Sequence, residues 1–322
     1  MINWGVIGLG NMGRLFVEEV KKIKNAKINA IASRDLKKLN AIGKEHKIDN
    51  NLRYNHYHDL IKSDQIDAVY ISTLNNTHLD LISECINQKK KILCEKPAAL
   101  NLREINKIKS TLNNNFFYEA IAYYSNPQTD NFIKILEKNE IGALKKIKIS
   151  FGFKVRKIDP SSRLYNKKLG GGVILDLGCY PISFLMLCDD KVEEYKILKK
   201  KISYSSTGVE DEVELEIITS KKILAEIKIS FKQNYSNNCI VEGEDGEVVI
   251  SNPWLPVEGN TIEVKMKDRS YMQVSNSKKS AYAHQIENVS TAFEKPHYFN
   301  NNLFDIDKSV KYLSFLEKLH SN

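Results

Sequence analysis

Two groups of residues in this 322-residue chain have the types and spacing that do chemistry. Gly8-Leu9-Gly10-Asn11-Met12-Gly13 directly follows an apolar run and opens an amphipathic one. A GxGxxG between a strand and a helix cradles a dinucleotide pyrophosphate. The first glycine makes the tight turn and the second lets the phosphates reach the backbone. The third lets the helix pack on the strand, and the helix N-terminus favours the negative charge. The second group is Asp176 and Tyr180, spaced i, i+4, which sets a carboxylate and a phenol on one helix face. Taken singly, the bland alternatives are a packing turn, a capping aspartate and a half-buried core tyrosine.

The end of the second strand selects the cofactor. An acid there, about 20 positions after the glycines, holds the ribose 2′-hydroxyl of NAD. This chain has Ser33-Arg34 instead. A hydroxyl and a guanidinium suit a 2′-phosphate, which a carboxylate would repel. Asp35 follows one position later, where it reads as a helix cap, and Lys37 and Lys38 add positive charge. NADP is therefore expected over NAD, although an Arg34 stacked on the adenine would serve either.

These residues need elements to hold them. Strand-like runs at Ile2–Ile7, Lys27–Ala32, Ala68–Ser72, Lys91–Cys94 and Phe116–Glu119 alternate with amphipathic helices at Met12–Lys24, Leu36–His46, Thr77–Lys89 and Leu102–Leu112. Strands apolar throughout and separated by helices predict a parallel sheet covered on both faces. After residue 121 the rhythm changes. A helix at Pro127–Glu137 precedes the strand Lys145–Phe153, and glycines 170–172 open a helix to Leu187. Alternating strands follow at Val192–Ser203, Val213–Thr219, Ile223–Phe231, Asn238–Glu242, Glu247–Ser251 and Thr261–Lys267, which predicts an antiparallel sheet. Helices at Ala283–Phe293 and Ile306–His320 close the chain. The asparagine tracts 113–115 and 300–302 are expected in solvated turns. The expectation is an α/β protein with a dinucleotide-binding domain over 1–121 and a second, α+β domain over 122–322.

Further motifs carry a resemblance. Val69-Tyr70-Ile71-Ser72-Thr73-Leu74-Asn75-Asn76-Thr77-His78 is a strand ending in a polar loop and a histidine. Ile92-Leu93-Cys94-Glu95-Lys96-Pro97 is a strand ending in Glu-Lys-Pro. Leu169–Pro181, Val241–Gly246 and Asn252-Pro253-Trp254 follow in order. With the glycine motif, and over nearly the whole chain, these resemble the Gfo/Idh/MocA oxidoreductases. The resemblance implies a doubly wound Rossmann domain, then an α+β substrate and oligomerisation domain with a large, mostly antiparallel, open-faced sheet. It implies cofactor contacts from Gly8, Gly10, Asn11, Met12, Gly13, Ser33, Arg34, Lys38, Thr73, Leu74, Asn75, His78, Glu95 and Lys96, and no metal.

Most relatives have His in a GxHxxD pattern where this chain has Gly178-Cys179-Tyr180-Pro181-Ile182-Ser183. That resembles the tyrosine-containing subgroup of glucose–fructose oxidoreductase, dimeric dihydrodiol dehydrogenase and nucleotide-sugar ketoreductases. There the resemblance implies Lys96 and Tyr180 as the acid/base pair. Hydride transfer to or from a carbon needs a proton moved on the neighbouring oxygen, so such a pair is required. Asp176 is expected to orient the hydroxyl. Glu119 is expected near the cofactor amide, and Arg163 either on an anionic substrate or in a structural ion pair. Tyr282 and His284 are left outside the site. The substrate expected is a secondary alcohol or ketone of a sugar or sugar-like ring. The competing class is a non-catalytic NAD(P)- or sugar-sensing protein on the same fold.

Composition excludes other classes. The formal charge is +8, but the lysine groups 21–22, 89–91, 145–146 and 199–201 are scattered along the chain. They read as solvated faces and predict no nucleic-acid partner. Five cysteines with no CxxC argue against a disulfide framework and fit a cytoplasmic protein. Apolar runs read as short and broken by charges, so no membrane span is expected. An open sheet with an apolar face left over predicts a homodimer or higher oligomer.

Overall fold

The computed structural model describes residues 1–295, 297 and 302–320. Contacts divide it into two compact units, Met1–Ala122 with Tyr282–Val310, and Tyr123–Ala281 with Lys311–Asn322.

The first unit is built on strands β1 (Ile2–Ile7), β2 (Ala26–Ala32), β3 (Arg53–Tyr54), β4 (Ala68–Ile71), β5 (Lys91–Cys94) and β6 (Phe117–Glu119). They form one sheet in the order β3-β2-β1-β4-β5-β6, every pair parallel. Helices α1 (Asn11–Val20), α2 (Leu36–Glu45), α3 (Tyr57–Lys62), α4 (His78–Asn87) and α5 (Leu102–Thr111) connect them. All four residues of β4 are buried, as a strand covered on both faces requires. The strand order reverses between β1 and β4, and such a switch point leaves a crevice at the carboxyl ends of those strands. Strand β3 and helix α3 were not expected; two and six residues are too short to show a period.

The second unit begins with α6 (Pro127–Glu137), β7 (Leu144–Gly152), α7 (Val173–Leu177) and α8 (Cys179–Cys188). It continues as β8 (Lys196–Tyr204), β9 (Glu210–Ile218), β10 (Leu224–Ser230), β11 (Asn238–Gly243), β12 (Gly246–Ser251), β13 (Thr261–Met266) and β14 (Ser270–Val274). The order is β14-β13-β12-β11-β7-β10-β9-β8. Only β7 and β10 pair in parallel. The single helix expected from the glycines to Leu187 is two, meeting at Gly178. A Cβ there would stand 2.4 Å from the Ile174 carbonyl and 2.9 Å from Leu316 Cδ2, so glycine admits the close approach. The segment Lys167–Cys188 also corrects the expectation that apolar runs are short. Its mean hydropathy is 1.6, enough by length and composition for a membrane span, yet 72% of that window is buried inside the protein.

The open sheet face is not apolar, which corrects a second expectation. Strand β9 buries Val213, Leu215 and Ile217, while Glu212, Glu214 and Glu216 alternate to the other side. Across that side Lys146 pairs with Glu226, Lys148 with Glu242, Lys199 with Glu216 and Lys265 with Glu247. A lattice of opposite charges, with Ile240 and Val249 half-buried among them, stands where bare hydrocarbon was expected.

The last helices are α9 (Ala281–Glu294) and α10 (Ile306–His320). The expected second domain over 122–322 is corrected here, since 282–310 return to the first unit. The cause is the apolar face of α9. Ala283, Ile286, Val289, Ala292 and Phe293 share a core with Trp4, Phe16 and Val20, and the Trp4 indole N–H donates to Ser290 Oγ at 3.1 Å. Asn113 is left-handed at φ 48°, as a turn after α5 requires; Asn300 and Asn301 lie outside the described residues.

Candidate active site

In the first unit the expected cofactor residues gather at the carboxyl ends of β1, β2, β4 and β5. Gly8 has φ +89°, and a Cβ on it would stand 2.7 Å from the Ser72 carbonyl. The Ser72 hydroxyl donates to Gly8 O at 2.8 Å, which stitches the two strand ends together. At Gly13 a Cβ would stand 1.9 Å from Gly8 O, so only glycine lets α1 approach β1 this closely. Gly10 is different: a Cβ there meets nothing within 4 Å. It is also the N-cap of α1, with no side-chain cap and no acid in the first turn. Asp35 caps α2 and Asn101 caps α5 through their side chains. The bare N–H groups at the start of α1, above open space, fit a dinucleotide pyrophosphate.

Exposed Arg34 lies with its guanidinium carbon 5.8 Å from the Tyr57 ring centroid, a cation–π contact that orients it. Ser33 Oγ accepts the Asp35 N–H at 3.1 Å. Asp35 accepts the Lys38 N–H, as its capping role requires, and its carboxylate also lies 3.6 Å from Lys38 Nζ. That pairing partly neutralises the charge expected of Lys38. Thr73 Oγ1 stands 2.7 Å from Thr77 Oγ1, Leu74 is exposed and Asn75 is buried.

His78, expected among the cofactor contacts, braces a loop. It is 0% exposed, and its ring lies 2.9 Å from the Pro97 carbonyl through Nδ1 and 3.3 Å from the Thr73 carbonyl through Nε2. Burial lowers its pKa to about 4, so the ring is neutral and has one N–H, which the shorter contact takes. Glu119, expected near the cofactor amide, is likewise a brace. Wholly buried, it accepts the Ala98 N–H at 3.0 Å and the Ser309 hydroxyl. These two side chains grip the Pro97–Ala98 peptide from both ends, directly after Lys96, whose own peptide to Pro97 is cis. Glu95 accepts a hydrogen bond from the buried Tyr70 hydroxyl. Lys96 is half-buried.

Tyr282, left aside in the sequence, belongs with this group. Burial, then the Glu95 carboxylate, raises its pKa to about 12, against the pull of Lys96. No local signal could have placed it there, because α9 returns only after Tyr123–Ala281 of the second unit.

In the second unit, Asp176 and Tyr180 lie on consecutive helices, α7 and α8. Asp176 is buried and accepts a hydrogen bond from Arg163 Nη1 at 2.8 Å. Arg163 therefore makes an ion pair, and its partner is the candidate residue itself. Half-buried Tyr180 is walled by aromatic rings: Phe151 edge-on at 5.1 Å, Trp254 at 5.8 Å and Tyr123 at 6.4 Å. Its backbone is pinned from below. Ser183 donates to the Tyr180 carbonyl at 3.1 Å, the Tyr123 hydroxyl lies 2.8 Å from Ser183 Oγ, and the Tyr124 hydroxyl donates to the Ser183 carbonyl at 2.6 Å. Trp254, wholly buried against Tyr180, was read only as part of a motif. Lys96 belongs to the first unit and Tyr180 to the second.

Among the described residues one His/carboxylate group has metal-ligand spacing: Glu18, Glu45 and His46. None of the three is among the candidate residues.

The oxidoreductase family model with an NAD-binding Rossmann fold, GFO_IDH_MocA, matches residues 2–116, and the GFO/IDH/MocA C-terminal domain model matches residues 131–249. The chain is 29% identical over 273 residues to trans-1,2-dihydrobenzene-1,2-diol dehydrogenase of Xenopus tropicalis, covering 83% of this chain and 80% of that protein. Among solved structures, aldose-aldose oxidoreductase from Caulobacter crescentus, complexed with glycerol, has a TM-score of 0.89 at 18% identity, covering 99% of this chain and 96% of that one. A 3-ketoreductase from Actinomadura kijaniata, in complex with NADP and TDP-benzene, has a TM-score of 0.86 at 18% identity, covering 98% and 96%.

Proposed function

Since the chain belongs to the GFO/IDH/MocA oxidoreductase family, we propose that it transfers a hydride, with NADP as cofactor, to or from the secondary alcohol or ketone of a sugar or sugar-like ring. The relatives named above act on a diol, on aldoses and as a ketoreductase, which supports that substrate class. The observation that carries the reading is Asp176, buried and paired to Arg163 at the end of α7, four residues before a tyrosine that opens α8 within an aromatic wall.

Nicotinamide, when bound, supplies or accepts the hydride. Gly8, Gly10 and Gly13 with the N-terminus of α1 would hold its pyrophosphate, Ser33 and Arg34 its 2′-phosphate. The protein moves the proton. Tyr180 gives or takes it at the substrate oxygen through its phenol. Lys96 is its partner in the acid/base pair that the family resemblance implies, a positive charge of the kind that favours a phenolate. Asp176, oriented by Arg163, accepts a hydrogen bond from a substrate hydroxyl. Phe151 and Trp254 keep water from the phenol.

The test is a cofactor-coupled screen of free sugars, diols and nucleotide sugars with NADP(H) and NAD(H). Tyr180→Phe is expected to lower kcat by about 10²–10⁴-fold while leaving NADPH binding intact. Unchanged turnover would sink this mechanism, and NADPH binding with no turnover on any substrate would favour a sensor. Arg34→Ala is expected to weaken NADPH about tenfold, or about 1.4 kcal/mol, and NADH far less.

Two further parts of the reading concern setting. The free, buried cysteines Cys85, Cys94, Cys179, Cys188 and Cys239 suit a reducing cytoplasm. The exposed Met272 and Val274 of β14 suit a homodimer or higher oligomer, which sedimentation velocity tests.

A further inference from the structure

The charge of +8 is not spread evenly. The loop between β7 and α7, residues 153–172, carries Lys154, Arg156, Lys157, Arg163, Lys167 and Lys168 against a single acid, Asp159. Five of the eight excess positive charges sit there. All six cations are exposed. Of these, among the described residues, only Arg163 makes an ion pair. On the sheet of the same unit, Lys146, Lys148, Lys199 and Lys265 each face a glutamate. Asp159 offsets only one of the six charges, and its carboxylate also caps its own turn, accepting the Ser161 N–H at 2.8 Å and hydroxyl at 2.7 Å.

The loop is held in place. The Lys154 N–H donates to Asn234 Oδ1 at 2.9 Å and the Val155 N–H to the Phe231 carbonyl at 2.8 Å. At its far end the Gly172 N–H donates to the Leu164 carbonyl at 2.9 Å, and Arg163 is tied to Asp176. Phe151, which packs on Tyr180, lies three residues before Lys154. Like charges repel one another over a Debye length of about 8 Å. A multivalent anion removes that repulsion, and an arginine fork matches phosphate oxygens.

We infer that residues 154–168 form an anion-recognition loop, and that the substrate carries a phosphate or diphosphate beside the carbon that is oxidised or reduced. The second half of this inference rests on the proposed roles of Asp176 and Tyr180. It places the enzyme after a reaction class that phosphorylates a sugar or links it to a nucleotide.

The experiment uses the full chain saturated with NADPH, so that the glycine loop is filled, and inorganic pyrophosphate as the probe in calorimetry. Wild type is expected to bind pyrophosphate, with affinity falling steeply as salt rises. The triple variant Lys154→Gln, Arg156→Gln, Lys157→Gln is expected to bind at least tenfold more weakly, and the charge-retaining pair Lys154→Arg, Lys157→Arg like wild type. In turnover, the preference in kcat/KM for a sugar phosphate or nucleotide sugar over the free sugar should fall at least tenfold in the triple variant. Which of the two phosphorylated substrates loses more identifies the source of the phosphate. Equal pyrophosphate binding by wild type and the triple variant overturns the loop's role. So does a loss confined to NADPH affinity, or tighter binding of a single-stranded oligonucleotide than of pyrophosphate. Pyrophosphate binding without turnover on any substrate keeps the loop and rejects the hydride chemistry; turnover on free sugars alone does the reverse.

Discussion

The six-stranded and eight-stranded sheets meet opposite demands on their faces. The first is buried on both sides along its central strand β4, and its functional groups collect in the loops at the strand ends. Those loops are positioned by polar groups that are themselves buried: His78, Glu119 and the Tyr70–Glu95 pair. The second sheet buries one side only and carries its charges on the strands, paired across them. Its candidate reactive groups stand on helices instead. The difference teaches where each unit is vulnerable. The first depends on a few buried contacts that tolerate no change, the second on many exposed contacts of small individual worth.

The largest expected effect is at the buried face of α9. Phe293→Ala removes a ring packed near Trp4, Phe116 and Tyr118. It should cost about 3–5 kcal/mol, read from chemical denaturation followed by Trp4 fluorescence. A loss under 1 kcal/mol would contradict the claim that α9 is integral to the first unit.

Next comes the pH dependence of the His78 brace. Its folded pKa of about 4 lies below the ordinary 6.5, so the unfolded chain takes up the proton first. Nothing is lost above pH 6.5. Between pH 6.5 and 4 stability falls by about 1.4 kcal/mol per unit, about 3 kcal/mol in all. The difference in unfolding free energy between wild type and His78→Gln should follow that slope. A difference flat across this range would show that the ring is not held neutral.

The smallest effect belongs to the second sheet. Lys148→Gln breaks one exposed pair with Glu242 and should cost about 0.2–1 kcal/mol, fading in high salt. A loss above 2 kcal/mol would mean that the charge lattice acts cooperatively, and the contrast between the sheets would shrink.

How much of this was legible in the sequence follows the same division. Strands β1, β4 and β5 are short runs of Ile, Val and Leu beside a helical period, and the glycine motif names its own turn. The cofactor half is therefore largely readable, because it is made of backbone. Strand β14 escaped because its alternation of Tyr271 and Gln273 with exposed neighbours marks no buried face. The charged sheet face could have been read from Glu212-Val213-Glu214-Leu215-Glu216, where polar residues alternate with apolar ones. The pairing of Arg163 with Asp176 could not, since an irregular loop has no period to fix its reach. The basic loop was in plain view but lay outside the lysine groups read as scattered; it gained meaning because, among the described residues, its cations other than Arg163 make no ion pair.

The return of α9 to the first unit bears on how this chain is made. Trp4 leaves the ribosome early, and the helix that covers it follows only after Tyr123–Ala281 has been synthesised. Until then the nascent first unit exposes the apolar side of β1 and α1, a surface on which hydrophobic chaperones act. A gene fragment cut after residue 122 would carry the whole glycine motif and still fail to yield a soluble nucleotide-binding module.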